Sequence, residues 1–364
     1  MAAQTDAWAS GLYWYTDLDA AKRAARDSGK PILSLRLLGT LDSEYSCANS
    51  RFFRTVLYAN AAVSREMSEH FILHWKSVRP VPKVTIDFGD GRVVQRTITG
   101  NSIHYVLDAD GRVIDGIPGL YGPNAFMQEL TNAVTIATFA RDARDASQAL
   151  REWHLAQNNA ILARWEKDLR EVGALPVQAS LTLPLREPMI TPKATPKANP
   201  TAVQAAPVAR GKFVVERRLV VALAPASNVL QAAKDDAVWT KIAALHVEDA
   251  KLDAGSRALM AAKNPTALQA GRRATSKLKV ENPLVRIVQN FERSIAEDTV
   301  RNEYTFHRQI HLWLADATPS MDLDAFNERV YAELFLTPSS DPWLGLLPPN
   351  TYSALPDDGL CRAK

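Results

Sequence analysis

The chain has 364 residues with 43 basic and 40 acidic side chains, so its formal net charge is only +3. A balance this near neutral gives no broad field for nucleic acid or an anionic membrane surface, and no stretch approaches the ~20 apolar residues of a membrane span. With two cysteines, Cys47 and Cys361, a disulfide framework and a cysteine-rich zinc site are excluded.

The length suits two ordinary domains of a soluble protein. The opening residues lack the basic and apolar regions of a signal peptide. A cytoplasmic protein and an exported one whose signal peptide is absent from this chain both remain open.

Residues 1–135 read as mixed α/β. Thr16-Asp17-Leu18-Asp19 resembles a capping box opening a helix through Ala20, Ala21, Ala24 and Ala25. Gly29-Lys30-Pro31 stops it, and Ile32 to Leu38 reads as a buried strand. After a polar loop comes a helix with Phe52, Phe53, Val56 and Leu57 on one face. Asn60 is placed to cap a further helical turn through Val63 and Met67, and Phe71 to Trp75 is a second strand. Asp90-Gly91 and Asp110-Gly111 each lie between β-branched runs, a strong hairpin signal. Pro123 suits the first position of a new helix. The helical pattern from Pro123 to Val172 is too long for one ordinary helix, so a break is expected near Asp142 to Ser147.

Residues 136–174 are read as connecting helices and 175–212 as a Pro/Ala/Thr-rich linker or strap, a composition that cannot bury a core. Residues 213–364 read as a helical domain with an extended tail. Its clearest helices are Asp236 to Ala262 and Pro283 to Asp316, with a shorter one at Asp322 to Phe335.

In the first 135 residues the order is helix, strand, loop, helix, strand, hairpin-linked strands, helix. With Gly29-Lys30-Pro31-Ile32-Leu33, the segment His104 to Val113 and Gly119, it resembles the thioredoxin-like fold family. The resemblance implies an α/β thioredoxin-like N-terminal domain, here followed by a mainly α-helical C-terminal one. It also aligns Cys47-Ala48-Asn49-Ser50 with the family's Cys-x-x-Cys, Ser102 with its cis-proline and Ser46 with the tryptophan before the first cysteine. A Cys-x-x-Ser has no resolving thiol, so a mixed disulfide at Cys47 has no internal release. A helix N-terminus can still lower a thiol's pKa. Cys47, with Ser50 and Arg51 assisting, is therefore the candidate catalytic set, and its alternative is a small, partly buried residue in a degenerate site.

Glu303, His307 and His311 recur every four residues on one expected helix and can face one way, so they are candidate ligands for a divalent metal. His246, Asp249 and Asp253 have compatible spacing on another helix, and a polar, ion-paired stripe is the alternative. His70, His74 and His104 fall in or beside strands, with His74 and His104 expected to be neighbours if their strands pair as in thioredoxin. Asp87-Phe88-Gly89 is a hairpin turn, and no nucleotide-binding glycine motif accompanies it.

Three functions follow. The preferred one is a thioredoxin-like interaction or scaffold protein, without dithiol oxidoreductase activity, that works with a protein partner and no cofactor. The others are a monothiol redox enzyme or sensor using Cys47, and a metal-binding protein using the helical histidines.

Overall fold

The computed structural model describes residues 3–175, 235–264, 283–317 and 321–344. The expected linker beyond Leu175, Cys361 and the end of the C-terminal tail lie outside them.

Helix α1 (Leu18–Ser28) is capped by Asp17, whose side chain accepts from the backbone of Asp19 and Ala20. This replaces the expected Thr16–Asp19 capping box, since Asp17 reaches both orphan N–H groups itself. Strand β1 (Ile32–Leu38) is buried along its whole length, as its continuous apolar run requires of a central strand. Helix α2 (Ala48–Phe52) continues as a π turn over Phe53–Leu57, and α3 (Ala61–His70) is capped by Asn60. Strands β2 (Ile72–Arg79), β3 (Lys83–Asp87), β4 (Val93–Thr97), β5 (Ser102–Leu107) and β6 (Val113–Pro118) follow.

Both Asp-Gly hairpins form. β3 and β4 make a separate two-stranded sheet, while the main sheet has the order β2-β1-β5-β6. β1 pairs parallel with β2 and antiparallel with β5, which pairs antiparallel with β6. Because β1 lies between β2 and β5, His74 and His104 are not neighbours. His74 sits opposite Ser34 and His104 opposite Leu35, with one whole strand between them.

Helices α4 (Pro123–Asp142) and α5 (Ala146–Glu171) are separated at 143–145, inside the expected break. The helical region comprises α6 (Asp236–Leu245), a 3-10 turn (Val247–Ala250), α7 (Ala254–Ala262) and α8 (Pro283–Arg301). A π turn (Asn302–His307) carries α8 into α9 (Arg308–Ala315), and α10 (Leu323–Arg329) continues into a further π turn, Val330–Leu334.

The two regions share one hydrophobic core, which runs from Trp14 and Phe53 to Trp239, Phe306 and Tyr331. Close backbone approach makes this possible. A side chain at Gly122 would strike the Asp249 carbonyl at 2.3 Å, and one at Gly119, where φ is +78°, would strike Asn302 at 2.5 Å. Asn302 Nδ2 instead donates to the Leu120 carbonyl at 2.8 Å. The π turn that begins at Asn302 is thereby fixed on the β6 edge of the sheet.

Candidate metal centre

Five elements bring one cluster of titratable groups together. Asp115 comes from β6, Glu129 from α4, His154 from α5, Glu303 and His307 from the π turn, and His311 from α9. They form two adjoining groups of possible ligands, Asp115–His154–His311 and Glu129–Glu303–His307. Within each, one ligand atom per residue lies within 4.8 Å of the others. The expected triplet Glu303–His307–His311 is thus divided. His311 joins one group and Glu303 with His307 the other, while the His307 and His311 rings lie 4.2 Å apart between centroids.

His154 carries the most informative geometry. Its Nε2 meets the Ile114 carbonyl at 3.0 Å. A carbonyl only accepts, so Nε2 bears the proton and the neutral ring turns its Nδ1 lone pair inward. Burial lowers the pKa of His154, which favours that neutral form. Nδ1 then faces His311 Nδ1 at 2.9 Å, and Asp115 Oδ1 lies 3.6 Å from the same His311 nitrogen. Two facing ring nitrogens share one hydrogen, carried in the neutral pair by His311 Nδ1, and a cation that displaced it would meet a lone pair from each ring. The spacing is close to the roughly 3.0 Å between two cis octahedral ligands bound at about 2.1 Å, and a tetrahedral zinc would spread the pair to about 3.4 Å. Burial, with the neighbouring His307, also pushes the pKa of His311 well down.

The second group is more self-satisfied. Glu303 receives the Arg164 guanidinium on one oxygen, and Tyr121 Oη (3.1 Å) and His307 Nδ1 (2.8 Å) on the other. Burial lowers the pKa of His307, but the Glu303 carboxylate outweighs it and holds the ring near 9. Burial and the Glu303 charge push Glu129 up to about 7. His307 Nε2 has no hydrogen-bond partner among the described residues. If all three carboxylates are ionised, Arg164 balances one and two negative charges are left in a region where desolvation is costly. Protons on Glu129 and His307, or one divalent cation, would supply the balance.

The other sequence candidates lie elsewhere. His246 is held by Asp168 (2.7 Å) and Asp249 (3.0 Å), with Tyr304 Oη donating to Asp168, and Asp253 caps α7. None of these joins the histidine cluster. His74 Nδ1 pairs with Ser34 Oγ at 2.8 Å and His104 Nε2 with Tyr58 Oη at 2.7 Å, and His70 lies beside Glu66.

At the opposite end of the sheet Cys47 is the N-cap of α2 and fully buried, its Sγ accepting from Ser50 N at 3.3 Å. Ser50 Oγ donates to the Thr40 carbonyl, and Asn49 Nδ2 donates to Ser102 Oγ at 2.6 Å, so Ser102 does face the Cys-x-x-Ser segment. Arg51 donates to the Ser46 carbonyl and to Thr97.

Asp115 and His154 were not singled out in the sequence, although signals existed. His154 shares a helical face with Asn158, Ile161 and Trp165, and Asp115 interrupts the apolar run Val113-Ile114-Asp115-Gly116-Ile117. Among the described residues no helix is long and apolar enough to cross a membrane. Comparison of the chain with protein-family models, with curated proteins and with solved structures returns no match.

Proposed function

We propose that this is a metal-binding protein whose divalent cation is held by Asp115, His154 and His311. The observation that carries the reading is the double engagement of His154. One nitrogen is fixed on a backbone carbonyl, the usual support of a metal-bound histidine, and the other faces His311 Nδ1 at 2.9 Å. Two neutral imidazoles and one carboxylate suit zinc or ferrous iron and leave coordination positions open to a further ligand. Glu129, Glu303, His307 and Arg164 form the surrounding charge layer, which responds to the cation by releasing protons. The test is metal content of the purified full chain with zinc affinity of the wild type and of His154→Ala. About one zinc per chain, lost in the variant, is expected. Metal-free protein that fails to take up zinc or iron on addition would exclude the reading.

The thioredoxin-like ancestry of the first region belongs to the same proposal. It is supported by the β2-β1-β5-β6 order, with Cys47 at a helix N-terminus and Asn49 of its motif bonded to Ser102. Complete burial of Cys47 favours a role in packing over thiol exchange with a partner. The interaction role read from the sequence then rests on the chain as a whole, not on this thiol.

A further inference from the structure

A cavity of about 720 Å³ opens at the end of the sheet where β1 begins and β5 turns into β6, the end opposite Cys47. Its volume lies in the range that encloses small organic ligands. Ile114, Val134, Leu150, Leu314 and Met321 give it an apolar wall, and His154 lines it as well.

The charged groups around this wall are mostly basic: Arg26, Lys30, Arg112, Arg141 and Arg144, against Glu69, Asp108 and Asp110. The two aspartates are already engaged, Asp110 by Arg26 at 2.9 Å and Asp108 by Arg112 at 2.8 Å. Arg141 pairs with Asp142 outside the lining and donates to the Gly29 carbonyl, and among the described residues the Lys30 ammonium donates to the Ser68 carbonyl alone. Arg144 has no ion-pair partner among the described residues. The lining thus keeps a surplus of positive charge next to apolar surface, in a concave site that concentrates the field.

We propose that this cavity binds a small amphipathic carboxylate, with its hydrocarbon body on the Ile114–Val134–Leu150–Leu314 wall and its carboxylate on Arg144 and Arg141. The two requirements are separable. Burial of the hydrocarbon supplies affinity in proportion to apolar area, and a charge-assisted hydrogen bond to a guanidinium fixes the sign of the head group. This site stands whether or not a cation occupies the histidine cluster, because the lining that recognises the ligand is not made of the metal ligands, His154 aside.

The test is calorimetric titration of the full chain with decanoate, 1-decanol and decyltrimethylammonium, each below its aggregation concentration. Saturable binding of one decanoate is expected, with the alcohol about tenfold weaker or more, the size of one lost charge-assisted bond, and the cation weaker still. Arg141→Ala/Arg144→Ala should weaken decanoate similarly and leave the alcohol unchanged, while Ala137→Trp, which fills the wall, should abolish both with the melting temperature retained. The proposal is overturned by absent decanoate binding, by equal binding of the three compounds, or by binding to anionic phosphatidylglycerol vesicles without binding of free decanoate.

Discussion

The Cys47 corner and the histidine–carboxylate cluster are both buried and polar, and both contain residues that the sequence singles out, yet their hydrogen-bond arithmetic differs. At the corner the donors and acceptors close on one another: Ser50 with Cys47 and Thr40, Asn49 with Ser102, Arg51 with Ser46 and Thr97. In the cluster two histidine nitrogens face each other, His307 Nε2 has no partner among the described residues, and three carboxylates meet one guanidinium. A satisfied polar corner is a way of holding loops together. A cluster in which two ring nitrogens converge and carboxylates outnumber the one guanidinium is chemically prepared for a cation.

That contrast can be broken most decisively by substitution in the cluster. His154→Ala and His311→Ala should each lower zinc affinity by about 100-fold or more, beyond the loss typical of supporting residues, measured by competition with a chromophoric chelator. Tyr121→Phe, one layer out, should cost less than either. If all three lose equally little, the cluster is no better placed for metal than the corner.

Arg164→Ala comes next. It removes the guanidinium that balances Glu303, but Arg164 is half exposed, so a loss of about 1–3 kcal/mol is expected in denaturant unfolding of metal-free protein. Added zinc should reduce that loss, because the cation supplies the missing charge. An identical loss with and without zinc would separate Arg164 from the metal.

His246 gives a pH dependence away from both regions. Hydrogen bonds to Asp168 and then Asp249 raise its pKa from 6.5 to about 9. The folded state therefore holds this proton more tightly than the unfolded one. The resulting stability is fully present below pH ~6.5 and is lost as pH rises through about 9. After allowance for partial exposure it should amount to about 1–2 kcal/mol. Asp168→Asn should flatten the slope of unfolding free energy between pH 6.5 and 9, and an unchanged slope would assign it to other groups.

The smallest effect belongs to the corner. Cys47→Ser keeps a side chain able to cap α2, so its stability change should stay within about 1 kcal/mol. In Cys361→Ser protein, Cys47 should be alkylated far more slowly when folded than in urea. Equal rates would show that the corner opens and would favour the monothiol reading over a packing role for Cys47.

Local signals were the legible ones. The Asp-Gly hairpins, the α4–α5 break, the Asn60 cap and the four-residue spacing of Glu303, His307 and His311 all depend on neighbours within a few positions. The grouping of Asp115 and His154 with His311 depends on which strand edge the α8–α9 helix crosses, and Gly119, Gly122 and Asn302 decide that through long-range contact. The same reason explains His74 and His104, whose spacing could not reveal that β1 runs between them. His154 was hidden because a histidine in a charged helix looks like a surface residue until its apolar face is known.

The most direct measurement is X-ray absorption at the zinc edge on the reconstituted full chain, beside His154→Ala. A centre with two nitrogen ligands near 2.0–2.1 Å and oxygen ligands completing the shell, lost in the variant, is the expected result. A sulfur ligand near 2.3 Å would move the metal to Cys47 or Cys361, and a wild-type spectrum unchanged in His154→Ala would contradict the assignment of the cation to Asp115, His154 and His311.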